Sequence, residues 1–179
     1  MTSSTPLWFG LDRILRPIEN IAALLGAAMM LIAMVLVSAD ALMRYAFNAP
    51  LTFQYTLTEQ YLMVALVCLP LAWGFRTGGY IRIEGLIDRL PQALREKVLR
   101  AGLITSAVYV AALAWTAGGH FWKAYTTGEV MFGVIDWPVA WSWVWVPVGC
   151  WLLAARLLLM SFGPRTQLEA DPHAGEHVE

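Results

Sequence analysis

Four apolar runs, at residues 21–39, 61–75, 101–119 and 137–155, divide this chain, and none of them contains a charged side chain. About 20 helical residues, rising ~1.5 Å each, cross the ~30 Å hydrocarbon core of a bilayer. Runs of this kind fix the solvent of the protein before any other property is considered. They also leave little chain for a soluble catalytic domain. The expected fold is therefore an all-α integral membrane protein with four transmembrane helices.

Composition agrees. Of 179 residues, 59% are hydrophobic and 14% charged, against about 25% charged in soluble domains. The nine tryptophans fall mostly near the ends of the runs, where an indole sets its apolar body in lipid and its N–H in the headgroups. Cys68 and Cys150 lie inside runs, and no C-x-x-C occurs. They read as small buried hydrophobes rather than a redox or zinc pair.

Residues 39–41 read Ala-Asp-Ala, the form of a signal-peptidase site. A signal core is usually ~7–15 residues, shorter than the run at 21–39, and about twenty residues precede that run. An uncleaved anchor helix is expected.

Charge gives direction. The N-terminal arm carries Arg13 and Arg16, and the first loop only Arg44. The middle loop carries Arg76, Arg82, Arg89, Arg95, Lys97 and Arg100. Lys123 stands alone in the third loop, and Arg156 and Arg165 follow the last run. Alternate sides thus receive ten and two, which places both termini in the cytoplasm by the positive-inside rule.

The organisation expected is an amphipathic arm at 1–20, a four-span domain at 21–160 and a polar, disordered cytoplasmic tail at 161–179. The spans fall at about 21–43, 56–76, 98–119 and 137–160. Leu7, Trp8, Leu11, Ile14, Leu15 and Ile18 recur at helical spacing in the arm, with Arg13, Arg16 and Glu19 between them. That pattern suits an interfacial helix. A second amphipathic stretch, with Ile83, Leu86, Ile87 and Leu90 on one face, occupies the middle loop until Pro91 interrupts it, and another helical start follows at 94–100. Pro70 bends the second span. In the third, Gly102, Ser106, Ala107, Ala111, Ala112 and Ala114 permit close helix approach.

Few residues carry chemistry. Glu59, at the mouth of the second span, reads either as an ion-coupling carboxylate or as an interfacial group capping that helix with Thr56 and Thr58. Asp40 and Arg44 are spaced to pair on one helical face, and Arg44 and Glu59 are candidates to clamp two helix ends. Haem ligation needs facing histidines. His120 lies near a span, but His173 and His177 lie in the tail. Trp137, Trp141 and Trp145 form an i, i+4, i+8 stripe, read as an interfacial belt or packing surface. No phosphate loop, metal cluster or nucleophile–base set occurs, so neither an enzyme nor a nucleic-acid binder is indicated and no cofactor is expected.

Three segments carry a resemblance. Residues 76–91 read RTGGYIRIEGLIDRLP, residues 44–50 read RYAFNAP and residues 145–149 read WVPVG. In this order, at the mouths of the runs, they resemble the small membrane subunit, DctQ type, of tripartite ATP-independent periplasmic (TRAP) transporters. The resemblance spans roughly 15–162. Tyr80 stands where that family often has His, and Glu84 where it often has Asp. Phe53-Gln54-Tyr55 replaces a tryptophan followed by acids.

The resemblance implies an accessory scaffold subunit in a bacterial inner membrane. Its partners would be a large multispanning transport subunit, a periplasmic substrate-binding protein that docks transiently, and membrane lipids. Together they would import an organic acid, driven by sodium. Arg44, Glu59, Arg76, Tyr80, Glu84 and Asp88 are the interface or structural residues it suggests. The residues alone leave open a self-sufficient ion-coupled transporter using Glu59, or a haem-less membrane anchor of an enzyme complex.

Overall fold

A computed structural model describes residues 5–49, 53–78, 91–131 and 136–163. Four helices in it are long and apolar enough to cross a membrane. We label them α1 (Thr5–Phe47), α2 (Gln54–Arg76), α3 (Gln92–Thr127) and α4 (Val139–Ser161). The middle-loop stretch at 79–90 and the tail at 164–179 lie outside the described residues.

α1 runs for 43 residues without interruption, about 64 Å at the α-helical rise. Its arm and its span are one helix, with Pro17 inside it. The positions turned toward the bundle are Asp12, Leu15, Glu19, Ala22, Gly26, Met29, Ala33, Leu36, Asp40 and Met43. They alternate in steps of three and four, the heptad spacing that keeps one seam against a neighbour. The arm therefore packs as a continuation of the span. Its amphipathic pattern is turned round: Asp12 and Glu19 are buried, while Phe9, Leu11, Ile14 and Ile18 are exposed.

Local chemistry sets the boundaries. α1 stops at Asn48, whose φ of 51° is left-handed, a conformation asparagine tolerates better than most residues. α2 contains a π turn at Leu57–Leu62 and breaks at Pro70, which has no N–H to continue the ladder. α3 joins the helical start at 94–100 and the span in one helix and ends at Gly128, whose φ of 63° makes the left-handed cap. Val130–Met131 pairs antiparallel with Trp137–Pro138 in a two-stranded link. Trp137 therefore precedes α4, which begins at Val139, so it shares no helical stripe with Trp141 and Trp145. Proline at 138 fixes an extended backbone and turns the chain into the helix instead.

α3 packs along α4, α1 packs along α2, and α2 lies against α4. α4 is the most enclosed helix. Ala107, Ala114, Ala117 and Ala124 line the α3 side of its contact with α4, whereas Gly102, Ser106 and Ala112 face outward. Buried polar side chains lie at the two ends: Asp12, Glu19, Arg156 and Ser161 at one, Asp40, Thr58 and Ser142 at the other. A cluster of Ala22, Ala65 and Leu69, flanked by Met29, Trp145 and Leu152, fills the level between.

Candidate functional site

Asp12, Arg16 and Glu19 are spaced i, i+4, i+7, which puts all three on one face of α1. Arg76, the last residue of α2, and Arg156, five residues from the end of α4, arrive at the same level. Arg156 Nη1 lies 2.7 Å from Asp12 Oδ1 and 3.7 Å from Glu19 Oε1. Arg76 Nη1 lies 3.0 Å from Glu19 Oε2. A second Arg76 nitrogen donates to the Asn20 side-chain oxygen, and Nη1 also reaches the Arg16 carbonyl at 3.4 Å. Arg16 closes the set through Asp12 at 2.6 Å. Three helices are thus joined by two carboxylates and three guanidinium groups.

The burial of this network separates it from ordinary surface pairs. Glu19 is 0% exposed and Arg156 2%. Glu19 Oε1 and Oε2 and Arg156 Nε make no hydrogen bond to the protein, so charge alone holds the Glu19 carboxylate. Removing either member would leave an unpaired charge in a poorly solvated place. The same end is closed on the α3 side, where Arg100 donates to the Ser161 carbonyl at 2.8 Å and the Gly163 carbonyl at 3.4 Å. The first is the last carbonyl of α4 and the second lies just beyond its end, and a cation there also meets the negative end of the helix dipole.

At the opposite end, Arg44 pairs with Asp40 at 2.9 Å. Both line a shallow open groove with Val37, Ala41, Tyr45 and Asn48. Glu59 is exposed and hydrogen-bonds Tyr55, one turn earlier on the same helix. α2 begins a turn before Glu59, so this carboxylate caps nothing. Arg44 and Glu59 are bonded within their own helices rather than to each other. The π turn opens the backbone here. Gln60 offers its carbonyl to the Ser142 hydroxyl, and Tyr61 donates to the Pro138 carbonyl at 2.6 Å. His120 stacks on Trp143 with ring centres 5.2 Å apart. Among the described residues, no three His, Cys, Asp or Glu side chains are placed to hold a metal ion.

Between the ends, two glycines bring backbones together. A Cβ on Gly149 would lie 2.2 Å from the Cys68 carbonyl oxygen, and one on Gly26 would lie 3.0 Å from Pro70 Cδ. α2 is therefore gripped beside its proline break, by α1 on one side and α4 on the other.

Residues 44–49, the described part of RYAFNAP, are thus a helix stop, WVPVG a helix crossing, and Arg76 the junction of α2 with the charged end. Residues 33–166 match the model of the DctQ component of tripartite ATP-independent periplasmic transporters. The chain belongs to the DctQ family. No curated protein matches it. DctQ proteins are the small membrane component of TRAP transporters and work with a large membrane subunit and a periplasmic binding protein. The coarse role of the chain is accordingly transport, as a multi-pass membrane component.

Of the residues anticipated from sequence, Arg76 enters the buried network, while Arg44 and Glu59 are exposed at the other end. Tyr80, Glu84 and Asp88 lie outside the described residues. Asp12, Glu19 and Arg156 were not anticipated as a site. Their signal was present: two acids seven residues apart on the polar side of an amphipathic helix, and one arginine directly after an apolar run.

Proposed function

We propose that this DctQ-type subunit is the static scaffold of its transporter. It packs against the large transport subunit, which moves an organic acid delivered by the periplasmic binding protein and driven by sodium. It sits in a bacterial inner membrane with the charged end and both termini in the cytoplasm. One observation carries this reading: buried polar groups lie at the two ends, while alanine, glycine and leucine occupy the level between. A charged substrate or ion crossing through this bundle would need polar partners along its way. The exposed Gly102, Ser106 and Ala112 on α3, and the apolar outer face of α1, offer surface for a helical partner.

The test is uptake in proteoliposomes. The chain alone is expected to move no organic acid, and uptake should need the large subunit, the binding protein and a sodium gradient together. Sodium-dependent uptake by the isolated chain, abolished by Glu59→Gln, would establish the self-sufficient transporter instead. Single-cysteine labelling at the exposed Phe162 and Lys123 checks the orientation, with Lys123 expected to react from the periplasm.

A further inference from the structure

The scaffold reading asks the small subunit to stay still while its partner moves. On that reading, we propose that Arg156 is a positioning residue for transport, the keystone that braces the cytoplasmic extension of α1 against α4 and α2.

The outer face of α1 is exposed from Phe9 to Leu42, so this helix takes load from whatever lies beside the bundle. Its middle is held by small-residue contact, Gly26 against Pro70. Such contact resists compression and resists sliding poorly. The part below Ile21 is a lever of about 24 Å whose buried face is polar. Hydrophobic packing cannot seat that face. Ion pairs seat it, and among the described residues the three that join the lower carboxylates to another helix use Arg156 or Arg76: 2.7 Å and 3.7 Å from Arg156 to Asp12 and Glu19, and 3.0 Å from Arg76 to Glu19.

Arg156 is the member that reaches both acids, and its side chain is 3% exposed. Arg76 sits at a helix end with 17% exposure and keeps Asn20 as a second partner. Loss of Arg156 removes the ion pairs of both carboxylates to α4, leaving Asp12 with Arg16 of its own helix and Glu19 with Arg76, and the extension swings away from α4. The residue touches no substrate. It acts by holding one wall of the transporter in register.

The experiment uses the complete complex. Small subunits carrying Arg156→Gln, Arg156→Lys or no change are co-expressed with the large subunit, purified together and reconstituted with binding protein. Three quantities are measured: yield of complex, maximal uptake rate with half-saturating substrate, and tryptic cleavage after Arg13, since Pro17 blocks cleavage after Arg16. The expected result for Arg156→Gln is normal complex yield, a maximal rate lowered about tenfold, unchanged half-saturation and cleavage about tenfold faster. Lysine keeps the charge and should recover part of the rate.

A rescue arm separates bracing from a local packing defect. Asp12→Cys with Arg156→Cys, in a background of Cys68→Ala and Cys150→Ala, is slow until a short bis-maleimide crosslinker, adding one cysteine thiol at each end, joins the two positions. Rate recovery on crosslinking supports the brace. Normal rate in Arg156→Gln overturns it, as does a slow crosslinked complex. Loss of complex with Arg156→Gln alone assigns the residue to assembly and also overturns it. Failure of the unchanged subunit to co-purify with the large subunit refutes the scaffold reading itself, a result visible before any variant is compared.

Discussion

Adding one methyl group at Gly149 should be among the most damaging conservative changes in this protein. The alanine Cβ would fall 2.2 Å from the Cys68 carbonyl oxygen, 2.7 Å from its carbon and 2.9 Å from its Cβ. Two of those atoms are backbone, so no side-chain rotation relieves the clash. Restoring ordinary contact requires α4 and α2 to part by about 1 Å, and that gap forfeits a quarter to a half of each dispersion contact along the crossing. Overpacking of this kind costs about 1–3 kcal/mol, and with a helix backbone as the obstacle the upper end applies. For a chain of this size that is a fall in melting temperature of roughly 6–12 °C. Tryptophan fluorescence or a thiol-reactive dye, followed on heating in detergent, measures it. Gly118→Ala is the control, because a Cβ there meets nothing within 4 Å. It should be neutral or stabilising by up to about 1 kcal/mol through helix propensity. Equal melting of Gly149→Ala and the parent, with the control behaving as described, would show that the α2–α4 backbones do not touch here.

Glu19→Gln should destabilise by about 3 kcal/mol in denaturant titration, because it leaves Arg156 and Arg76 short of their shared buried anion. Arg44→Ala should cost no more than about 1 kcal/mol, since the guanidinium is mostly exposed although its partner Asp40 is buried; a larger loss would mean that Arg44 holds more than Asp40. Asn48→Val forces a β-branched residue into left-handed backbone and should cost about 1–2 kcal/mol, while Asn48→Gly should be nearly neutral, both read from thermal melts. Ser142→Ala removes the donor to the Gln60 carbonyl and should cost about 1 kcal/mol, with slightly faster amide exchange in the π turn by mass spectrometry.

The helices were legible in the sequence because apolar length reports a bilayer directly. Helix ends were legible less often. Asn48 and Gly128 are ordinary left-handed stops, but Trp137 continues the aromatic pattern of residues 141–145 without being helical, and periodicity cannot see the proline that turns the chain at 138. The arm was legible as amphipathic but not in which face turns inward. Water would draw Asp12 and Glu19 outward, and the presence of Arg76 and of Arg156, the latter 144 residues away from Asp12 in sequence, reverses that. A pairing so remote leaves no local mark. Glu59 drew attention because it opens a span, yet its place in a π turn with Tyr55 is set by backbone register that composition does not encode.

The position of polar and small residues also explains how such a bundle coheres. Between lipid tails and leucines there is no hydrophobic driving force to pull helices together. What remains is close backbone contact and electrostatics in a poorly screening medium. The chain uses each where it works best. Gly26 and Gly149 bring three backbones together beside Pro70, where dispersion acts over the shortest distance. Near the charged end those contacts give way, and guanidinium–carboxylate pairs take their place at 2.7–3.0 Å. Close packing without charges would leave the helices free to slide along one another. Charges without close packing would leave them free to splay. The two together fix both the separation and the register of α1, α2 and α4, the property that the proposed scaffold role requires.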